Sequence, residues 1–160
     1  MSTPGDRIRK AAEEARRRKE QQDAKAREEE ATREKLRQDL MRRADQMAHK
    51  FLAGAQEMRQ QSGYSVHLHL ERHEPQKLDP GFLLTIGKPK RGIRATLAQD
   101  GQWRVGVNSA TRGTRETRYH DDSHLEQARD ELLELLMTEA AVAVAAEEEA
   151  PAEDRKEAIA

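Results

Sequence analysis

The stretch FLLTIGKPKRGIRATLAQDGQWRVGVN, residues 82–108, decides the fold. Apolar and polar side chains alternate through three short runs, 82–88, 92–98 and 102–108, separated by Pro89 and by Asp100-Gly101. A period of two marks strands with one buried face. The faces also set the register. A two-residue turn at Asp100-Gly101 puts Ala98 opposite Trp103 and Leu97 opposite Arg104, mixing apolar with charged neighbours. A three-residue loop, Gln99-Asp100-Gly101 with Gly101 left-handed, pairs Leu97 with Trp103, Ala95 with Val105 and Ile93 with Val107. Applied to the preceding turn, the same reasoning pairs Ile86 with Ile93, Leu84 with Ala95 and Phe82 with Leu97. All the apolar side chains then share one face of an antiparallel meander.

Outward from this stretch, Tyr64, Val66, Leu68 and Leu70 alternate with Ser65, His67, His69 and Glu71, which predicts a strand before it. A shorter run at 117–120 predicts a strand after it, so the sheet has four or five strands. Helices are expected on both flanks. Thr3-Pro4-Gly5-Asp6 offers a capping hydroxyl, a proline at the first helical position and a carboxylate in the first turn. No strong breaker follows until Gly54, and Ser62-Gly63 supplies the stop. Leu36, Leu40, Ala44, Met47, Phe51, Ala55 and Met58 form one stripe suited to packing on a sheet. Upstream the stripe continues mostly through alanine and charged residues, a poor coiled-coil seam, so a solvated arm is expected. There Glu13/Arg17, Glu14/Arg18, Asp23/Arg27 and Glu29/Arg33, with Asp39/Arg43 just beyond, stand four apart in the favourable order.

After the sheet, Ser123 with Glu126 three residues on reads as a capping box. Leu125, Ala128, Leu132, Leu135, Leu136 and Ala140 make the buried stripe of a last helix. Glu147, Glu148 and Glu149 then stack negative charge where a helix dipole disfavours it. The expected fold is therefore α+β: a long N-terminal helix, an antiparallel meander and a C-terminal helix, both helices on one sheet face. Residues 1–35 form a charged, solvent-exposed helical arm, 36–146 a compact α+β domain, and 147–160 an acidic disordered tail.

Composition agrees with a chain that is only partly packed. Of 160 residues 37% are charged and 3% aromatic, against roughly 25% charged in an average domain. Leu, Ile, Val and Phe number 25, and 21 of these lie within 36–136, so one domain of about 100 residues is the most the chain can build. Charge is segregated: residues 1–50 carry +4, 51–125 carry +3 and 126–160 carry −8. Cysteine is absent, which removes thiolate zinc sites, disulfides and thiol nucleophiles. The first 35 residues hold no apolar stretch of signal-peptide length, and a cytoplasmic protein is expected.

Function is sought on the face opposite the apolar one. It carries His67, His69, Thr85, Arg94, Thr96, Arg104, Asn108, Arg118 and His120. Lys88, Lys90 and Arg91 add a basic loop around Pro89, and Arg112 and Arg115 add another near Gly113. Arginine forks match phosphates and carboxylates, although an exposed antiparallel face is polar in any case. Tyr64, Phe82, Trp103 and Tyr119 all fall on the inward parity, which disfavours a platform for stacking unpaired bases. His67 and His69 share one side of a strand, but His120 on the far edge lies about four strand spacings, ~19 Å, away, so no metal site is expected. No nucleophile motif, phosphate-cradling loop or dinucleotide fingerprint occurs. The expectation is a non-catalytic interaction or assembly protein without a cofactor, binding a protein partner or itself through the N-terminal helix. The alternative is a nucleic-acid-binding protein that contacts phosphates through the basic face and loops.

Overall fold

A computed structural model describes residues 3–73, 79–88 and 91–149. The order is α1 (Pro4–Ser62), β1 (Leu68–His73), β2 (Gly81–Ile86), β3 (Arg91–Leu97), β4 (Trp103–Ser109), β5 (Gly113–Tyr119) and α2 (Asp122–Glu149). The five strands form one antiparallel meander, β1-β2-β3-β4-β5. The class is α+β.

The chain divides into two compact units, Met1–Asp39 and Leu40–Ala160. In the first, every described residue of 3–38 is exposed, including Leu36 at 45%. Helix α1 begins as expected: the Asp6 N–H donates to the Thr3 hydroxyl at 3.2 Å, and the Thr3 N–H donates to the Asp6 carboxylate at 3.3 Å. Of the anticipated pairs, Glu13/Arg17, Glu14/Arg18 and Glu29/Arg33 form no ion pair, and Arg27 reaches the backbone carbonyl of Asp23 rather than its carboxylate. Exposed pairs gain little over solvation, so these side chains stay in water.

In the second unit, Leu40, Ala44, Met47, Ala48, Phe51 and Ala55 of α1 are buried, as are Leu125, Leu133, Leu136, Met137 and Ala140 of α2. Both sets join the sheet's apolar face, Phe82, Leu84, Ile86, Ile93, Ala95, Leu97, Trp103 and Val105, in one core. Phe51 packs on Phe82 with ring centroids 5.4 Å apart, and Phe82 meets Trp103 edge-on at 6.2 Å. Each fully buried Leu, Ile or Phe contributes about 1.5–3 kcal/mol. The two helices approach closely at Gly54, where a Cβ would lie 2.9 Å from Leu133 Cδ1.

The β3–β4 register is the one parity dictates: Leu97 opposite Trp103, Ala95 opposite Val105 and Ile93 opposite Val107. The loop carries Gly101 at φ +86°. The β2–β3 register differs from expectation by two residues. Phe82 faces Ala95, Leu84 faces Ile93 and Ile86 faces Arg91. A slip of two leaves every side chain on its face, so parity cannot discriminate between the alternatives. The tighter connection draws Arg91 into β3 and turns it inward.

Other boundaries also differ. β1 starts at Leu68, leaving Tyr64 before the sheet and 37% exposed. β5 is longer than expected. The cap of α2 is Asp121 rather than Ser123: its carboxylate accepts the His124 N–H at 2.9 Å. Helix α2 continues through Glu147 and Glu148 to Glu149, so the disordered tail does not begin at 147. The remainder of that expected tail, 150–160, lies outside the described residues.

Candidate anion-binding face

Strand parity places the side chains of the outer face. β3 contributes Arg94 and Thr96, β4 contributes Arg104 and Asn108, and β5 contributes Thr114, Glu116 and Arg118. Arg104 stands directly opposite Arg118, and Arg94 opposite Gly106. Arg94 is thus one diagonal step from Arg104, a separation of about 7–8 Å. All three arginines are exposed, and none has a hydrogen bond or ion pair with a described residue. Gly106, opposite Arg94 and next but one to Arg104, leaves the floor between these two without a side chain. Two carboxylates share it. Glu71 on β1 pairs with His69 at 3.2 Å, and Glu116 lies opposite Gly106, on the β5 edge.

The other expected site residues do not all join this group. Lys88 is exposed in the β2–β3 turn, and Lys90 lies outside the described residues. Arg91 is a correction: it is 6% exposed, its Nε is 3.4 Å from a Glu139 oxygen, and its Nη1 donates to the Lys88 carbonyl at 3.2 Å. It is a fastener between β3 and α2, with no surface to offer a partner. Arg112 is exposed in the β4–β5 turn, where its backbone N–H donates to the Ser109 hydroxyl at 3.1 Å. Arg115 is also corrected: it lies within β5, on the helix-side face, opposite Val107.

Arg115 lines a groove of about 560 Å³ between β5 and α2, together with Val107, Thr117, Tyr119, Leu132 and Leu135. Tyr119 sits at its end, and burial together with the nearby Glu131 carboxylate raises its phenol above the usual value.

Two polar clusters escaped the sequence reading. Glu139 of α2 takes hydrogen bonds from the Ser109 hydroxyl at 2.5 Å, the Ala110 N–H at 3.0 Å, and the Thr111 hydroxyl and N–H. Burial pushes its carboxyl upward, but the Ser109 and Thr111 hydroxyls and the two backbone donors outweigh that push and hold it at about 2. The second cluster centres on Asp122. Arg43 of α1 grips it in a fork at 2.9 and 2.7 Å, and the Trp103 indole N–H donates to it at 2.7 Å. The Arg43 guanidinium lowers the Asp122 carboxyl against the opposing push of burial, with help from the indole. A third contact fixes the first strand: Arg72 lies 2.8 Å from Asp45 and 2.9 Å from His49 Nε2. The inward parity of Arg91, shared with Ile93 and Ala95, is the local signal in the sequence that points toward a buried partner such as Glu139.

Among the described residues no group of three or more His, Asp or Glu side chains is placed to hold a metal ion. No described helix is long and apolar enough to cross a membrane. Comparison with known proteins gives no relative: no family model matches the chain, and no curated protein or solved structure is significantly similar.

Proposed function

We propose that this chain is a non-catalytic binding and assembly protein whose α+β unit receives anionic groups of a macromolecular partner through Arg94, Arg104 and Arg118. The observation that carries the reading is the direct opposition of Arg104 and Arg118, with no carboxylate among the described residues neutralising either. Like charges facing across a sheet are unfavourable. A bound anion reverses the sign, because one phosphate or carboxylate accepts from two guanidinium forks at once. Two carboxylates support the non-catalytic part: Glu139 and Asp122 are each held by several partners that fasten elements of the fold together. The helix over 3–38, exposed on every side, offers a second surface for a protein partner or another copy.

Nucleic acid is the second reading, and one feature favours a duplex over a single strand. Every aromatic side chain is off the outer face: Phe51, Phe82 and Trp103 are buried, Tyr119 points to the helix side, and Tyr64 precedes the sheet. Phosphates, not unstacked bases, are what such a face can hold.

Fluorescence anisotropy with a short duplex oligonucleotide and with labelled polyglutamate separates the two. Binding of either polymer that weakens in the Arg94→Ala/Arg104→Ala variant supports the anion-binding face, and the polymer preferred tells phosphate from carboxylate. Failure of both to bind contradicts it.

A further inference from the structure

Strand β5 is an open sheet edge, and its sequence is complementary to itself. It is the last strand of the meander, and all its residues from Gly113 to Arg118 are exposed. Natural edges are guarded by charged side chains, lysine above all, by proline, bulges, inward-pointing charges, short length or a covering element. β5 runs for seven residues with one-to-one pairing to β4 and contains neither lysine nor proline; its charges, Arg115, Glu116 and Arg118, repel most strands but match a second copy of the same strand. The groove beside it shows that α2 leaves its helix-side face open. The opposite edge is different: on β1, Arg72 is tied to Asp45 and Glu71 to His69.

We infer that β5 pairs antiparallel with β5 of a second copy about a twofold axis at Thr117, joining two meanders into one ten-stranded sheet. In that register Thr117 meets Thr117 of the second copy. On the outer face, Glu116 faces Arg118 of the second copy and Arg118 faces its Glu116. On the helix side, Arg115 faces the ring of Tyr119 and Tyr119 faces Arg115, a cation over an aromatic ring. Every charge on the two strands therefore acquires a partner, and no side chain in these pairs has an ion pair with a described residue of its own chain. The flanking registers lack this match. An axis at Glu116 sets two carboxylates against each other, and an axis at Arg118 sets two guanidiniums together. A twofold interface is isologous, so one self-complementary strand suffices to close it. Both copies keep their helices on the same side, where the open groove leaves room; Arg94 and Arg104 of both copies stay available to anions on the outer face, while Arg118 is engaged by Glu116 of the second copy. The dimer does not rest on anion binding, since it forms with that face empty.

Sedimentation of the full chain over a concentration series tests the inference. The wild type is expected to pass from monomer to dimer, with Glu116→Arg and Arg118→Glu each weakening the dimer at least tenfold. These single variants place like charges opposite one another in their own dimers. In a mixed pair every facing charge is opposite again, so an equimolar mixture of the two is expected to recover dimerisation. A chain that stays monomeric, a dimer indifferent to both changes, or a mixture that does not recover overturns the inference. A second measurement uses the absence of cysteine. Directly opposed residues have Cα atoms about 4.5–5.5 Å apart, within the range a disulfide spans. Oxidised Thr117→Cys should form a covalent dimer. Absence of that cross-link overturns the proposed axis.

Discussion

Arg104 and Arg118 face each other across the β4–β5 ladder on the solvent side of the sheet. Such opposition costs a fraction of a kcal/mol that a threonine in either position does not. Arg104→Thr is therefore expected to raise stability by about 0.5 kcal/mol while weakening anion binding. Urea unfolding of the variant checks the first half. A loss of stability means that the arginine serves the fold.

Glu139 carries a pH dependence whose sign follows from its environment. Its folded carboxyl titrates at about 2 against an unfolded value of 4.5. The stabilisation is complete above the unfolded value and disappears as pH falls from there toward 2. Denaturation measured between pH 6 and pH 2 should show this acid limb in the wild type and a shallower one in Glu139→Gln. Parallel curves contradict the assignment. At neutral pH, Glu139→Ala leaves the Arg91 charge buried without its carboxylate and should cost about 3 kcal/mol.

Asp122 joins α1 and β4 to the start of α2, and the two partners separate by substitution. Asp122→Ala strands the indole N–H of Trp103 and frees Arg43, an expected loss of about 2 kcal/mol. Asp122→Asn keeps an oxygen for the indole and should cost less. Trp103 is the only tryptophan in the chain, so its fluorescence reports both unfolding and the loss of this contact. Equal losses in the two variants mean that the Arg43 pair, not the indole bond, dominates.

What could be read from the residues, and what could not, divides by sequence distance. The faces, the three-residue loop at Gly101 and the β3–β4 register follow from alternation, because a shift by one exposes Leu97 and Trp103. The β2–β3 register escaped because a shift by two costs nothing in parity. What selects it is the burial of Arg91 against Glu139, on an element that follows far along the chain. The cap of α2 was misplaced for a related reason. Asp121 and Ser123 are equally good capping residues locally, but Asp122 is held by Arg43, 79 positions away. That contact fixes where the helix starts. The shared face of Arg94, Arg104 and Arg118 follows from parity alone. Arg91 and Arg115 fell out of it because loop and strand cannot be told apart near Pro89 and Gly113 by composition alone.

The claim that the outer face grips anions is tested most directly by the salt dependence of duplex binding. Each arginine that neutralises a phosphate contributes about 0.9 to the slope of log affinity against log salt. Replacing Arg94 and Arg104 together with alanine should lower that slope by about 2 and weaken binding at every salt concentration. A slope equal to that of the wild type means that the phosphates are held elsewhere, and contradicts the account.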